Sequence, residues 1–393
     1  MSYANHAEKE FDIVVFGASG YTGRLVAEYL DKNYTGSLNW AMAGRNEEKL
    51  KAVREEIGAN EATPILLADA ADMGAIEDLC KKSKVILTTV GPYQLYGNEL
   101  VAACAKTGAD YVDLCGEPAW MRQMIDAHGA TAKSSGARIV FSCGFDSIPF
   151  DLGVQFLQDA AQDKFNERAN EIHCIVRKMK GTFSGGTAAS LKATMAAAFK
   201  DPSVIELLKN PFALAPGFDG PRQPSGSKPK YDEELGIWLA PFVMAPINTK
   251  NVHRSNALLG HSYGEDFKYS EMVATGPGVA GEKTAQAVAS DNSLMGEDAP
   301  KPGEGPTKEE REGGHYDVLF IGETASGKTI SASVTGDIDP GYGSTSKMIA
   351  EAAACLIDNC DAIGGGIWTP AAAMNGALRE RLVKNAGLTF EIE

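Results

Sequence analysis

Short apolar runs alternate with stretches of helical period through the first 158 residues. Residues 13–16, IVVF, form an unbroken β-branched and aromatic run, the pattern of a strand buried on both faces. Comparable runs lie at 39–43, 65–68, 85–90, 111–114 and 138–143. The segments 24–30, 47–57, 73–82, 99–107 and 119–134 between them read as helices. Strand alternating with helix six times predicts an α/β fold built on a Rossmann doubly wound parallel sheet.

The rhythm changes after residue 158. Residues 171–179 read as a strand, followed by GTFSGGT and an alanine-rich helix over 188–200. Residues 210–230 are rich in Pro and Gly and read as a long loop. The apolar stretch 237–247 contains Pro241 and Pro246, which suits a pocket wall or a dimer contact better than a regular strand. His253 and Arg254 follow it. Arg254 could pair with an anionic substrate or sit at the surface, and His253 reads as a structural or solvated histidine before a proton donor. Residues 290–314 are acidic and poor in apolar positions, as in a loop or flap. Ser344 or Thr345 caps a helix over 347–358. A further helix starts at Thr369-Pro370 and ends near Gly387, and a terminal strand covers 388–392. The pattern predicts a dinucleotide-binding domain over 1–150 and an α+β substrate or dimerisation domain over 151–340. The helical return over 341–393 is expected to pack back on the first domain.

The chemistry concentrates at the carboxyl ends of the predicted strands. Gly17, Gly20 and Gly23 follow the first strand with the spacing G-x-x-G-x-x-G and open a helix, with Ser19, Tyr21 and Thr22 between them. Such a turn lets a pyrophosphate approach bare backbone at a helix N-terminus. An NAD site carries an acidic residue about 20 positions after the glycines. Here the second strand ends at Arg45, with Asn46 as a helix cap and Lys49 in the first turn. A guanidinium, a helix N-terminus and an ammonium at one spot suit a 2′-phosphate, so NADP(H) is expected over NAD(H). Asp69 reads either as an adenine contact or as a helix cap. Val90, Gly91 and Pro92 would lie near the nicotinamide ribose. Tyr93, beside them, would stack, relay a proton, or simply pack. Asp146 and Thr187 join Tyr93 as catalytic candidates because they follow a strand end or open a helix. Gly185, Gly186 and Thr187 would offer an anion site or a capped helix start.

Residues 322–329, GETASGKT, match the P-loop spacing, but TISASVTGD follows. Alternating small polar and β-branched residues predict a strand there, and hence a β-hairpin turn rather than a phosphate cradle.

Composition narrows the class. The chain has 393 residues, enough for two domains, and a formal charge of −15 from 37 basic and 52 acidic residues. So acidic a surface argues against nucleic-acid binding. Seven cysteines, none in a C-x-x-C pair, imply neither a zinc site nor a disulfide framework and suit a reducing, cytoplasmic compartment. No apolar signal region and no run of about 18 apolar residues is present, so no membrane span is expected.

Several segments resemble the saccharopine dehydrogenase-like oxidoreductases: GASGYTG at 17–23, AGR at 43–45, TTVGPYQLYG at 88–97, YVDLCGE at 111–117 and CGFDSIPFDLG at 143–153. The likeness continues through GTFSGGTAASL at 181–191, PFVMAPINTKNVHRS at 241–255 and DPGYGSTSKM at 339–348. The chain is most similar to the trans-acting enoyl reductase branch. The resemblance implies a nicotinamide cofactor and reduction of a C=C, C=O or C=N bond on an acyl, lipid-linked or amino/oxo-acid substrate at the domain cleft. It also leaves room for a homodimer and for peripheral association with a membrane. One alternative is a true saccharopine-type dehydrogenase. That chemistry needs arginines gripping several carboxylates, and the second domain offers few beyond Arg177, Arg222 and Arg254. The other is a dinucleotide-binding scaffold or sensor without turnover.

Overall fold

The computed structural model describes residues 9–182, 185–296 and 303–393. Residues 1–8, Phe183 and Ser184 of the GTFSGGT motif and 297–302 of the acidic loop lie outside the described residues. The first sheet contains β1 (Phe11–Phe16), β2 (Trp40–Gly44), β3 (Ile65–Leu67), β4 (Ser83–Thr88), β5 (Asp110–Val112) and β6 (Arg138–Val140). The second is built from β7 (Ala169–Lys180), β8 (Lys230–Asp232), β9 (Ile237–Pro241), β10 (Lys268–Gly276), β11 (His315–Thr324) and β12 (Thr329–Gly336). The C-terminal segment adds β13 (Gly366–Trp368) to the first sheet and β14 (Leu388–Ile392) to the second.

The first sheet is parallel throughout, in the order β13-β6-β5-β4-β1-β2-β3. This is the doubly wound arrangement extended by one strand, and β1 and β4 meet at the point where strand order reverses. Ile13, Val14, Val15, Val85, Ile86 and Leu87 are fully buried, as strands covered by helices on both faces must be. One of the covering helices is Thr345–Asp358, which packs on β1, β4, β5 and the helix Tyr21–Tyr34. Its alanines let the backbones approach closely. Its buried Glu351 accepts hydrogen bonds from Tyr29 Oη (2.8 Å), Tyr34 Oη (2.5 Å), Arg381 Nε (3.0 Å) and Asn385 Nδ2 (3.1 Å). A carboxylate so fully paired ties the C-terminal segment to the first helix.

The second sheet has the order β14-β12-β11-β7-β10-β9-β8 and is antiparallel except for the β10–β7 pair. The helix Ile148–Phe165 packs on β7, β11, β12 and β14 of the second sheet and carries Phe150 and Leu157 into a core that also holds Phe320 and Val334. β11 and β12 form the hairpin expected around residues 322–329.

Two expectations need correction. The stretch 237–247 is a strand to Pro241 and then the start of a helix, Ala245–Leu258, with Pro246 in its first turn, where a missing N–H costs nothing. Arg254, on that helix, is buried rather than superficial. It donates to the carbonyls of Leu214 (2.5 Å) and Ile367, and burial lowers its pKa to about 10. His253 is also buried, against Phe212 and Phe267, with its pKa depressed to about 3 by loss of solvent.

Candidate functional site

Because the strands of the first sheet are parallel, the loops after β1, β2, β4, β5 and β6 gather along one edge. The turn after β1 is shaped by its glycines. Gly17 has φ +92°, and a Cβ there would come 2.7 Å from Val90 Cγ2. A Cβ on Gly23 would lie 2.1 Å from the Gly17 carbonyl oxygen, so the helix can start this close to the strand only without a side chain. Gly20 is exposed and serves as N-cap of the helix Tyr21–Tyr34, with no side-chain cap and no acidic residue in the first turn. The amides of the first turn are thus left for an external acceptor. Ser19 and Thr22 are half-buried in the same turn, and the Ser19 hydroxyl lies beside Gly44 at the end of β2.

Arg45, Asn46 and Lys49 follow directly and are exposed. Asn46 caps the helix Glu47–Glu56 by accepting from Lys49 N at 2.9 Å. Arg45 has no hydrogen-bond or ion-pair partner among the described residues. Asp69, after β3, accepts from Ala71 N (2.9 Å), while the helix cap that Asp69 might have provided is Asp72.

Strand β4 stops at Thr88, two residues short of the expected end. Thr89 then donates from N to Phe16 O (3.1 Å), and Val90 closes over Gly17. Gly91 is exposed and Pro92 half-buried. Tyr93 turns inward: it is 5 % exposed, its hydroxyl accepts from Leu114 N at 3.0 Å, and its ring packs near Trp120. Burial holds its pKa well above the usual phenol value. The geometry is that of a packing residue, with its hydroxyl already engaged.

The loop after β6 is pinned from several sides. Ser142 N (2.8 Å) and Cys115 N (2.9 Å) donate to Asp113, whose carboxyl also takes the Tyr111 hydroxyl and is pushed up to about 7 by burial. Phe145 N donates to Thr345 Oγ1 at 3.0 Å, and Ser147 Oγ donates to Asn248 Oδ1 at 3.1 Å. Asp146 lies between those two anchors. It is half-buried, has no partner among the described residues, and loss of solvent raises its pKa to about 6. Thr187 is half-buried in the first turn of the helix Gly185–Lys200, a helix that meets this edge through Ser190 on Glu117 and Thr194 on Gln94.

Two further segments, 306–311 and 340–344, close on Tyr21 of the glycine turn. Tyr21 donates its hydroxyl to Pro306 O, accepts from Arg311 Nη1 (2.6 Å), and meets the Tyr342 ring edge-on at 4.7 Å. The turn 340–344 is itself built on Asp339, which accepts from Tyr342 N and Gly343 N. Sequence reasoning missed Asp113, Glu117, Arg311 and Asp339. Glu117 stands at the N-cap position of the helix Pro118–Ser135 without capping it, and its carboxylate serves residues 93, 94 and 190 instead.

The family model for the saccharopine dehydrogenase NADP binding domain matches residues 13–140, from β1 to β6. A relative from Mycobacterium tuberculosis is 40 % identical over 401 residues, covering 95 % of this chain and 96 % of its own. The trans-acting enoyl reductase of Mycobacterium ulcerans is 37 % identical over 407 residues and covers 96 % of both chains. This chain belongs to the saccharopine dehydrogenase-like oxidoreductases, in the branch of the trans-acting enoyl reductases. The fold agrees. Saccharopine dehydrogenase (L-Glu forming) from Saccharomyces cerevisiae superposes with a TM-score of 0.55 over 97 % of this chain and 99 % of that one, at 11 % identity.

As a family member the chain is an oxidoreductase with an NADP-binding domain, and its residues fit that cofactor. The turn at 17–23 keeps its shape only with glycine at 17 and 23, where a Cβ would collide with Val90 or the Gly17 carbonyl, and its helix amides are uncapped. Among the described residues no cluster of His, Cys, Asp and Glu could hold a metal ion, and no helix is long and apolar enough to cross a membrane. All seven cysteines are free and buried.

Proposed function

We propose that this protein reduces a polarised double bond of an acyl substrate with NADPH, at the carboxyl edge of the first sheet. The observation that carries the reading is the pairing of an uncapped glycine turn with an exposed, unpartnered Arg45 and Lys49 one strand away. The amides of residues 21–23 would take the pyrophosphate. Arg45 and Lys49 would take the 2′-phosphate, which favours NADPH over NADH. Residues 90–92 would flank the nicotinamide ribose. Bound NADPH supplies the hydride.

Asp146 then holds the proton that the second carbon needs. A carboxyl kept protonated toward pH 6 by burial, with no cation beside it, suits a general acid. In this reading Tyr93 shapes the loop instead of moving a proton, and Thr187 would hold the substrate's carbonyl. The saccharopine alternative draws less support: Arg177 is paired with Asp317 (2.7 Å) and Glu393 (2.6 Å), and Arg254 is spent on backbone carbonyls.

The test is NADPH oxidation with a panel of 2-enoyl thioesters and matched 2-oxo acid plus amino acid pairs. The reading expects turnover with an enoyl thioester, reduced roughly 100-fold in Asp146→Asn. Turnover only with the oxo acid and amino acid pair, or equal turnover in the variant, contradicts it.

A further inference from the structure

Glu117 is 1 % exposed and has no cationic partner among the described residues. Three donors hold it instead. Tyr93 N and Gln94 N each donate at 2.9 Å, one to each carboxylate oxygen, and Ser190 Oγ donates at 2.7 Å to the oxygen shared with Tyr93. Two amides one residue apart clamp the carboxylate in a fixed direction. The third bond then reaches from that fixed point to the helix Gly185–Lys200 of the second part of the chain. A second contact runs parallel to it, from Gln94 Nε2 to Thr194 Oγ1 at 3.3 Å. Ser190 and Thr194 are one helical turn apart, so a single face of that helix rests on residues 94 and 117. Thr187 precedes Ser190 by three positions and shares the stripe.

Rotamer freedom and exposure make most serine hydroxyls poor anchors. This one meets a buried anion that cannot turn away without uncapping residues 93 and 94. We propose that Glu117 is a positioning residue. It links the loop 90–97 to the helix Gly185–Lys200, so that filling the cofactor site sets where the substrate-side helix sits. The inference rests on the cofactor reading above, because the loop it fixes is the one assigned to the nicotinamide ribose. A carboxylate that only capped the short helix Tyr93–Tyr96 would need no bond to Ser190.

The experiment is amide hydrogen exchange on the full chain, with and without NADPH, for wild type, Ser190→Ala, Ser190→Thr and Glu117→Gln. Tryptophan fluorescence reports binding independently, since Trp120 lies against Gly97 and Tyr93. In wild type, NADPH should slow exchange of residues 185–200 by roughly tenfold or more. In Ser190→Ala that slowing should fall below about twofold while NADPH affinity stays within about threefold, and Ser190→Thr should restore it. Glu117→Gln should lose the slowing and also speed exchange at residues 93–97. If NADPH binds but protects residues 185–200 equally in wild type and Ser190→Ala, or protects them in neither, the link is overturned and the cofactor reading stands. If wild type shows no fluorescence change and no protection at residues 17–23, the cofactor reading falls and takes the link with it.

Discussion

The turn at 17–23 and the turn at 322–329 both carry glycines at spacings associated with nucleotide phosphates. The first leaves a buried parallel strand and enters a 14-residue helix whose N-terminus has no side-chain cap. The second joins two antiparallel strands, and its amides turn back on the hairpin: Thr324 N donates to Lys328 O, and Lys328 N to Thr324 Oγ1. The lysines differ as well. Lys49 is exposed beside the open turn, whereas Lys328 is paired with Glu167 at 2.6 Å. The carboxylates differ in the opposite sense. Asp146, near the first turn's edge, is pushed up to about 6 by burial, while Glu167 is pulled down to about 2 by its hydrogen bond from Lys328. A glycine spacing becomes a phosphate site only when a helix begins inside it and leaves its donors unspent.

The largest effect should come from filling the first turn. Gly23→Ala sets a methyl 2.1 Å from the Gly17 carbonyl and should weaken NADPH binding by roughly 100-fold or more, about 3 kcal/mol, as read by fluorescence titration. Retained affinity would mean that the turn is not the cradle. Next in size is the pH profile of turnover. Asp146 as acid predicts activity that declines as pH rises through about 6, with the decline absent in Asp146→Asn. Linkage gives the same group a signature in stability. Its folded-state pKa is raised, so its protonated form favours the fold. That contribution is complete below the unfolded value of 3.8 and is lost as pH rises through about 6, which a melting series on wild type and Asp146→Asn would resolve. Glu167 runs the other way: its contribution is present above pH 4.5 and is lost as pH falls toward 2. The smallest effect belongs to the hairpin. Lys328→Ala should leave NADPH affinity within about twofold, since an exposed pair far from the first turn contributes little. A larger loss there would erase the contrast between the two turns.

The sheet core was legible because parallel strands buried on both faces read as unbroken apolar runs, as at residues 13–16 and 85–87. β13 was not, because a three-residue strand that begins on the last glycine of Gly364-Gly365-Gly366 carries no period. The helix Ala245–Leu258 was hidden for a different reason. Its buried face is polar, with Asn248 bonded to Glu271 and Ser147, Asn251 to Ser147, and Ser255 to Asp151, so no apolar stripe marks it. Local chemistry at the site could be read from single loops: the glycine turn, the Asn46 cap and the Arg45 that follows β2. What joins the loops could not. Glu117 meets partners 24 and 73 positions away, and Tyr21 meets Arg311 across 290. Such pairings depend on where the chain returns in space, which spacing along the sequence does not encode.

The most direct test is paired titration of wild type and Arg45→Asp with NADPH and NADH. Wild type should prefer NADPH, and the variant should lose roughly 10- to 100-fold in NADPH affinity with NADH affinity little changed. If both proteins bind the two nucleotides with equal preference, the guanidinium after β2 does not read the 2′-phosphate, and the assignment of Arg45 to the cofactor site is wrong.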